Sequence, residues 1–404
     1  MRSWIMRVST ISLLTLCGVQ VGACGGSDKS SNISDKKKKK KARDDKAAKA
    51  LLTEARQAAR AKEFEAANQS YRRAFLANHD MDILEEHVDF LIHAHLAPEA
   101  EKIAKDFYDA NISETRAYHI YCEALIAAGK GKLALDVADQ LIGLEENNAL
   151  AHKQRGQALI VLGRRPEGLA DLKRAIQLEN DNPLYLVAYG EALAKGGMVD
   201  EAALQFRTAI SQRPDESTYH ALLGMALREQ GELNESRQSL DRAIELDPEN
   251  ARAYFELGLL MNIQDKHAEA EAALARSVDL APRDATYWYA YGEISRVEKK
   301  FDQAISAYAK SLEIEPPHPK AASKLGRLLT DRQDYDHAVD VLTTAIRKDP
   351  ESVLNYFELG EVYAAQKRYK SAIEAYQKVV DIAPKGEPLR GKAADAIVRL
   401  KKAK

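Results

Sequence analysis

The chain has 404 residues, 45% of them apolar and 30% charged, with only 21 Gly and 12 Pro; so few turn formers exclude a sheet protein with many turns and fit long helices. The formal charge of -2 is unevenly spread: residues 24–46 carry nine basic and four acidic side chains, and residues 47–404 carry 48 basic and 57 acidic ones. A mildly acidic body excludes a phosphate-tracking surface, so nucleic acid is not an expected partner.

In chain order, the first element is an address. A short basic start with Arg2 and Arg7 precedes the apolar run V-S-T-I-S-L-L-T-L over 8–16, and Val21-Gly22-Ala23-Cys24 follows. A basic start, a short apolar stretch and small residues before a cleavage point mark a secretory signal. The run is too short and too rich in Ser and Thr to make a comfortable transmembrane helix. Val21-Gly22-Ala23-Cys24 resembles the lipobox of bacterial lipoproteins. The resemblance implies a signal peptide over 1–23, a diacylglyceryl thioether on Cys24, and acylation of the palmitate class on the new amino terminus. Several acyl chains together anchor stably where one binds only marginally. Cys17 is the poorer candidate, since bulky Leu16 precedes it. No Asp follows Cys24, which by family analogy points to the outer membrane, facing the periplasm. With Cys17 removed and Cys24 modified, Cys122 stands alone and no internal disulfide forms.

Residues 24–46 have almost nothing to bury and read as a lipidated, Lys-rich, disordered tether. Two readings of Lys36 to Lys41 stand: they lie against anionic headgroups beside the anchor, or they keep a self-repelling spacer extended.

Beyond Lys46 the sequence repeats. Gly156, Gly190, Gly224, Gly258, Gly292, Gly326 and Gly360 are each 34 residues apart, as are Pro214, Pro248, Pro282, Pro316, Pro350 and Pro384. Small residues, from Ala202 and Ser236 to Ala338 and Ala372, fall twelve places after each Gly. A unit of 34 fits two helices of about four turns joined by short turns. Gly in a helix costs around 1 kcal/mol, so seven in register imply close packing where the paired helices cross. The Pro ends the second helix before the next begins. Apolar residues such as Tyr254, Leu257 and Met261 fill the seams at helical spacing.

The pattern resembles the tetratricopeptide repeat, W-x2-L-G-x2-Y, A-x3-F, P at period 34. One copy reads Tyr356-x2-Leu359-Gly360-x2-Tyr363, Ala372-x3-Tyr376, Pro384; another has Trp288, Tyr291-Gly292, Ala304, Tyr308 and Pro316. The expected fold is all-α: a right-handed α-solenoid of about ten helical hairpins. Regular repeats four to ten cover 149–386. Divergent repeats one to three cover 47–148, with Cys122 and then Val88 at the Gly position and a first copy, near Ala55, Ala67 and Tyr71, one residue out of step. Val88 puts close packing in doubt there. Cys122 reads as a small residue at a crowded crossing, or else as a redox or metal thiol. Residues 387–404 read as a capping helix, with Leu389, Ala393, Ile397 and Leu400 on one face.

No Walker loop, dinucleotide fingerprint, H-E-x-x-H or G-x-S-x-G is present. His93 and His95, two apart on a helix, point away from each other and do not suit a metal. The expectation is therefore a non-enzyme with no catalytic residues, no cofactor, no metal and no small-molecule substrate. In solenoids the first helix of each repeat lines the concave face. The family's inward positions lie three before and one after the Gly. They place Met225, Phe255, Leu259, Tyr289 and Phe357 in a peptide groove flanked by Glu191, Glu293 and Glu361, suited to a segment with apolar and basic residues. The alternative is that neighbouring side chains cover these rings. The two-carboxylate clamp of chaperone-binding relatives is excluded, because no repeat has Asn after its Gly and Lys153 is alone. Function is expected in binding proteins or peptides of the cell envelope. Similarity in plan to pilotin-type tetratricopeptide lipoproteins implies a membrane-anchored scaffold for a pilus, secretion, motility or cell-wall complex. A second reading makes the chain a regulatory or substrate-presenting subunit of an envelope enzyme.

Overall fold

A computed structural model of the protein describes residues 28–316 and 318–402. The signal segment 1–23 and Cys24 lie outside the described residues. Every regular element among the described residues is an α-helix. They pair as hairpins: α1 (Asp28–Arg60) with α2 (Phe64–Asn78), α3 (Met81–His93) with α4 (Ala97–Ala110), α5 (Thr115–Ala127) with α6 (Gly131–Leu144), and α7 (Ala149–Val161) with α8 (Arg165–Leu178). Next come α9 (Pro183–Ala194) with α10 (Val199–Gln212), α11 (Ser217–Gln230) with α12 (Leu233–Leu246), and α13 (Ala251–Ile263) with α14 (His267–Leu280). The last pairs are α15 (Ala285–Val297) with α16 (Phe301–Ile314), α17 (Pro319–Asp331) with α18 (Tyr335–Lys348), and α19 (Val353–Ala365) with α20 (Tyr369–Ile382); α21 (Pro388–Lys402) follows alone. The expected all-α succession of helical hairpins with a final single helix is what the described residues form.

The chain divides into two compact units, residues 1–84 and 85–404. In the first, α1 and α2 bury Ala48, Ala55, Ala67, Tyr71 and Ala74, and Asn78 Nδ2 lies 3.5 Å from Asp45 Oδ1. Here the disordered tether is corrected, because α1 is continuous from Asp28 and residues 28–46 are helical. No Gly or Pro interrupts that stretch after Gly26. A helix already nucleated by packing at Ala48 and Ala55 extends backwards through Lys, Ala and Arg without a second nucleation cost.

In the second unit the first helices start at 115, 149, 183, 217, 251, 285, 319 and 353, and the second helices of hairpins two to ten all span fourteen residues. Each ladder Pro stands two residues past the end of a second helix, as Pro248 does after Leu246. The turn inside each hairpin closes through one residue in the left-handed region: His95, Gly129, Gly163, Gly197, Gly231, Asp265, Lys299, Gln333 and Lys367, again 34 apart. Glycine enters that region freely; the others pay about 1 kcal/mol or more.

The glycine ladder has a packing partner sixteen residues on, in the second helix. A Cβ on Gly360 would stand 2.5 Å from Cε1 of Tyr376, one on Gly258 2.5 Å from Cγ of Leu274, and one on Gly190 2.6 Å from Cε1 of Phe206. The crossing thus hosts a large buried side chain, so no Cβ fits there. Where the ladder departs from Gly, the partner shrinks: Val88 has Ala104 and Cys122 has Ala138, all buried. The close packing that Val88 put in doubt is kept by this exchange of volume. His95 Nε2, in the turn of the second hairpin, lies 3.5 Å from Oδ2 of Asp284, at the start of α15. The solenoid of the second unit therefore coils back far enough for hairpins two and eight to meet.

Candidate peptide-binding groove

The eight expected groove residues sit on the first helices of their hairpins. Seven are half-buried and Glu361 is exposed. They gather in local clusters along the face, each completed by side chains from neighbouring repeats.

In the first cluster, Arg252 on α13 reaches back across two hairpins. Its Nη1 donates to Oε1 of Glu191 at 3.0 Å, and its Nη2 lies 3.5 Å from Sδ of Met225. Beside it, Arg228 donates to Oε2 of Glu256 at 2.9 Å. Burial pushes the Glu256 carboxyl above its ordinary range, and Arg228 opposes that rise. Phe255, next along, is stacked on Tyr287 with ring centroids 4.4 Å apart, while Leu259, one turn on from it, is half-buried.

The second cluster centres on Tyr289, which stacks on His318 at 5.0 Å and leans on Tyr308 at 5.8 Å. The Tyr308 hydroxyl donates to Glu293, whose other oxygen lies 3.3 Å from Arg296 and 3.5 Å from Lys324. Burial works to raise the Glu293 carboxyl, but the hydrogen bond from Tyr308 and then Arg296 and Lys324 outweigh it and hold it below its ordinary range.

In the third, Phe357 leans on Tyr376 at 5.7 Å, and Tyr376 Oη donates to Oε1 of Glu361 at 2.6 Å. Phe357 and Glu361 also line an open cleft of about 530 Å³ whose other walls are Lys392, Asp395, Val398 and Arg399 of α21.

All three groove carboxylates are therefore engaged by the chain's own side chains. A carboxylate already bonded and paired selects an incoming cation more weakly than a bare one. The three rings are half-buried, each packed against a neighbouring ring. Arg252, Lys324, Tyr308, Tyr376 and the α21 side chains complete the site and were not among the expected residues. The signal for Tyr308 and Tyr376 lay in the sixteen-residue offset from Gly; for Arg252 the sequence offers none, since its reach depends on the curvature between α9 and α13.

Nearer the N-terminus the residue after the Gly position is acidic, in Asp89 and Glu123. Burial, then Glu123, pushes the Asp89 carboxyl up to about 6. Lys153 Nζ stands 3.7 Å from Glu123. Burial pushes the Cys122 thiol up to about 12, and its Sγ donates to the Ala134 carbonyl at 3.4 Å; burial of this kind keeps a thiol in its neutral, less reactive form at neutral pH. Among the described residues, no group of three or more His, Cys, Asp or Glu side chains is placed to hold a metal, and no helix is long and apolar enough to cross a membrane.

Stacked helical hairpins that present side chains in register along one face define an α-solenoid of the kind that serves as a protein-binding scaffold. Residues 153–217 match the model described as tetratricopeptide repeat, 224–264 the TPR repeat model, and 271–390 the tetratricopeptide domain of cytochrome c-type biogenesis protein H. The chain is a tetratricopeptide-repeat protein. Among solved structures, yeast Tom70 is similar at 14% identity and a TM-score of 0.51, over 89% of this chain and 96% of that one. YrrB, a tetratricopeptide protein with an unusual peptide-binding site, aligns over 47% of this chain and 97% of its own at 20% identity and a TM-score of 0.41. A thermophilic tetratricopeptide protein of Thermus thermophilus aligns over 45% and 99% at 23% identity and a TM-score of 0.41. No curated protein matches the chain.

Proposed function

We propose that the chain is a lipid-anchored scaffold that binds protein partners along the first-helix face of its second unit, in the assembly or maintenance of a cell-envelope machine such as a pilus, secretion, motility or cell-wall complex. The observation that carries the binding part is the row of half-buried side chains on the first helices, Met225, Phe255, Leu259, Tyr289 and Phe357, whose three rings pack against Tyr287, His318 and Tyr376. Aromatic rings already packed on one side lose little side-chain entropy on binding and are common anchors of protein interfaces. The match of 271–390 to a domain named for cytochrome c-type biogenesis supports a part in building other proteins. The anchoring part rests on Val21-Gly22-Ala23-Cys24 and the basic residues that follow. Acylation at Cys24 would hold the scaffold at a membrane, with the outer membrane as the favoured site and the periplasm as the compartment its groove faces.

The test is fractionation and co-purification from the native host with wild type and Cys24→Ser. Wild type is expected in the membrane fraction, labelled by a palmitate analogue and carrying partner proteins. Cys24→Ser is expected to lose the label and those partners. Equal partitioning and equal partner recovery for both proteins would overturn the anchoring.

A further inference from the structure

The charge asymmetry of the chain is concentrated at the start of α1. Residues 28–43 carry eight basic side chains, Lys29, the six Lys of 36–41 and Arg43, against two acidic ones, Asp28 and Asp35. All sixteen residues are helical, which makes a rod about 24 Å long. At 3.6 residues per turn, positions 36–41 pass all the way round it, and Ile33 and Ala42 are its only aliphatic residues. Such a rod has no apolar stripe to bury.

The rest of the first unit does not use these charges. α1 enters the core at Ala48, which packs with Ala74 and Ile83. The hairpin closes where α2 ends, with Asn78 Nδ2 3.5 Å from Asp45 Oδ1. Just before that point Lys40, Lys41, Ala42 and Arg43 are all exposed, so no neighbouring helix covers this part of α1. Nearby acids do not neutralise the run. Asp45 is engaged by Asn78, Asp44 stands 3.7 Å from Arg43, and Lys40 and Lys41 form no ion pair among the described residues. Like charges three and four residues apart weaken a helix; a layer of counter-charge would remove that cost.

We propose that residues 28–43 of α1 lie along an anionic phospholipid surface, with headgroup phosphates neutralising the lysines. The proposal deepens the anchoring reading above and names the lipid class. Only residues 25–27 separate Cys24 from the helix, so acylation there would bring the lysines to a bilayer. Standing upright, the helix would hold them roughly 18 Å or more from Cys24, beyond the screening length of about 8 Å at physiological salt. Lying flat brings every one of them within it, each strengthening binding about 5-fold. Lipid is favoured over nucleic acid because residues 47–404 hold 48 basic and 57 acidic side chains. A phosphate chain running past the end of the helix would meet that acidic body, whereas a flat surface engages the helix alone.

The probe is a vesicle of phosphatidylcholine alone or with about 30% phosphatidylglycerol. It is mixed with the chain from residue 24 onward carrying Cys24→Ser, so that no acyl chain contributes. Flotation should show binding to the anionic vesicles about 100-fold tighter than to the neutral ones. Raising the salt from about 50 to about 500 mM should weaken it by about 10-fold or more. Replacing the six Lys of 36–41 with Gln should reduce binding to the neutral-vesicle level, and replacing them with Arg should keep it. Circular dichroism checks that both variants fold. Equal binding to the two vesicles, anionic binding that survives the Gln replacements, or tighter binding per phosphate to duplex DNA would each overturn the proposal. None of these results bears on acylation, which the palmitate label at Cys24 reads separately.

Discussion

Hairpins two and three and hairpins seven to ten of the second unit solve the same packing problem from opposite sides. In the later hairpins the first helix gives way: Gly258, Gly292, Gly326 and Gly360 leave room for Leu274, Tyr308, Leu342 and Tyr376. In the earlier ones the first helix keeps a side chain, Val88 or Cys122, and the second gives way to Ala104 or Ala138. The turns divide differently. Glycine supplies the left-handed residue at 129, 163, 197 and 231, in hairpins three to six, while hairpin two uses His95 and the later turns use Asp265, Lys299, Gln333 and Lys367. What is held constant along the chain is the volume at each crossing and the backbone path of each turn; the residue that meets the requirement is free to change. Interiors packed to near-crystalline density enforce the first constraint, and the steric cost of positive φ enforces the second.

The comparison can be broken by exchanging the two solutions. Tyr308→Ala empties a fully buried ring site and is expected to cost about 3–5 kcal/mol. Gly292→Cys forces a side chain against the ring and is expected to cost about 1–3 kcal/mol. The pair reproduces the arrangement at Cys122 and Ala138, so its cost should fall below the sum of the two singles. Urea unfolding followed by the emission of Trp288, on the same helix as Gly292, reads this coupling. Strict additivity would show that volume is not what the two positions share.

A second contrast sets Glu256 against Glu358, three repeats apart at the same register. Glu256 is paired to Arg228 at 2.9 Å, whereas burial pushes Glu358 up to about 7 with Arg327 only partly opposing. A carboxyl whose folded value lies above its unfolded one contributes stability that is fully present below pH 4 to 5. That contribution is lost as pH rises through 7, on the order of 2–3 kcal/mol for such a shift. Glu358→Gln should therefore be more stable than wild type at pH 8, with the difference shrinking to nothing near pH 4. Thermal melts across that range check it, and a difference independent of pH would count against the burial. Glu256→Gln, which strands Arg228, should change stability in the opposite direction.

The turns provide the smallest effect. Lys299→Gly relieves a non-glycine residue at φ 60 and should stabilise by up to about 1 kcal/mol, while Gly197→Ala, at φ 78, should destabilise by a similar amount. Hydrogen exchange at the flanking helix ends resolves changes of that size.

Most of the architecture was legible in the sequence, because each rung of the 34-residue ladder answers a local requirement: a Pro that cannot continue a helix, a Gly where no Cβ fits. The out-of-step first copy is also real, since α2 begins at Phe64, one residue later than the spacing of the other second helices would place it. Composition misled at residues 28–46, where a Lys-rich segment with nothing to bury is nevertheless a good extension of a helix packed further on. The groove was legible as a register and not as a surface. Periodicity says that Glu191, Glu293 and Glu361 share a face. It does not say that Arg252, Lys324 and Tyr376 reach them, because those contacts depend on how consecutive hairpins are rotated. The cleft at α21 was hidden for the same reason: the apolar stripe explains a cap, and the other face lines a wall beside Phe357 only once the hairpins are stacked.

The most direct test is site-specific photocrosslinking in the native host, with a benzophenone amino acid at Tyr289 on the groove face or at exposed Lys378 on α20. Covalent partner adducts from position 289 and none from position 378 are expected. Adducts from 378 alone, or equal adducts from both positions, would contradict recognition of partners along the first-helix face.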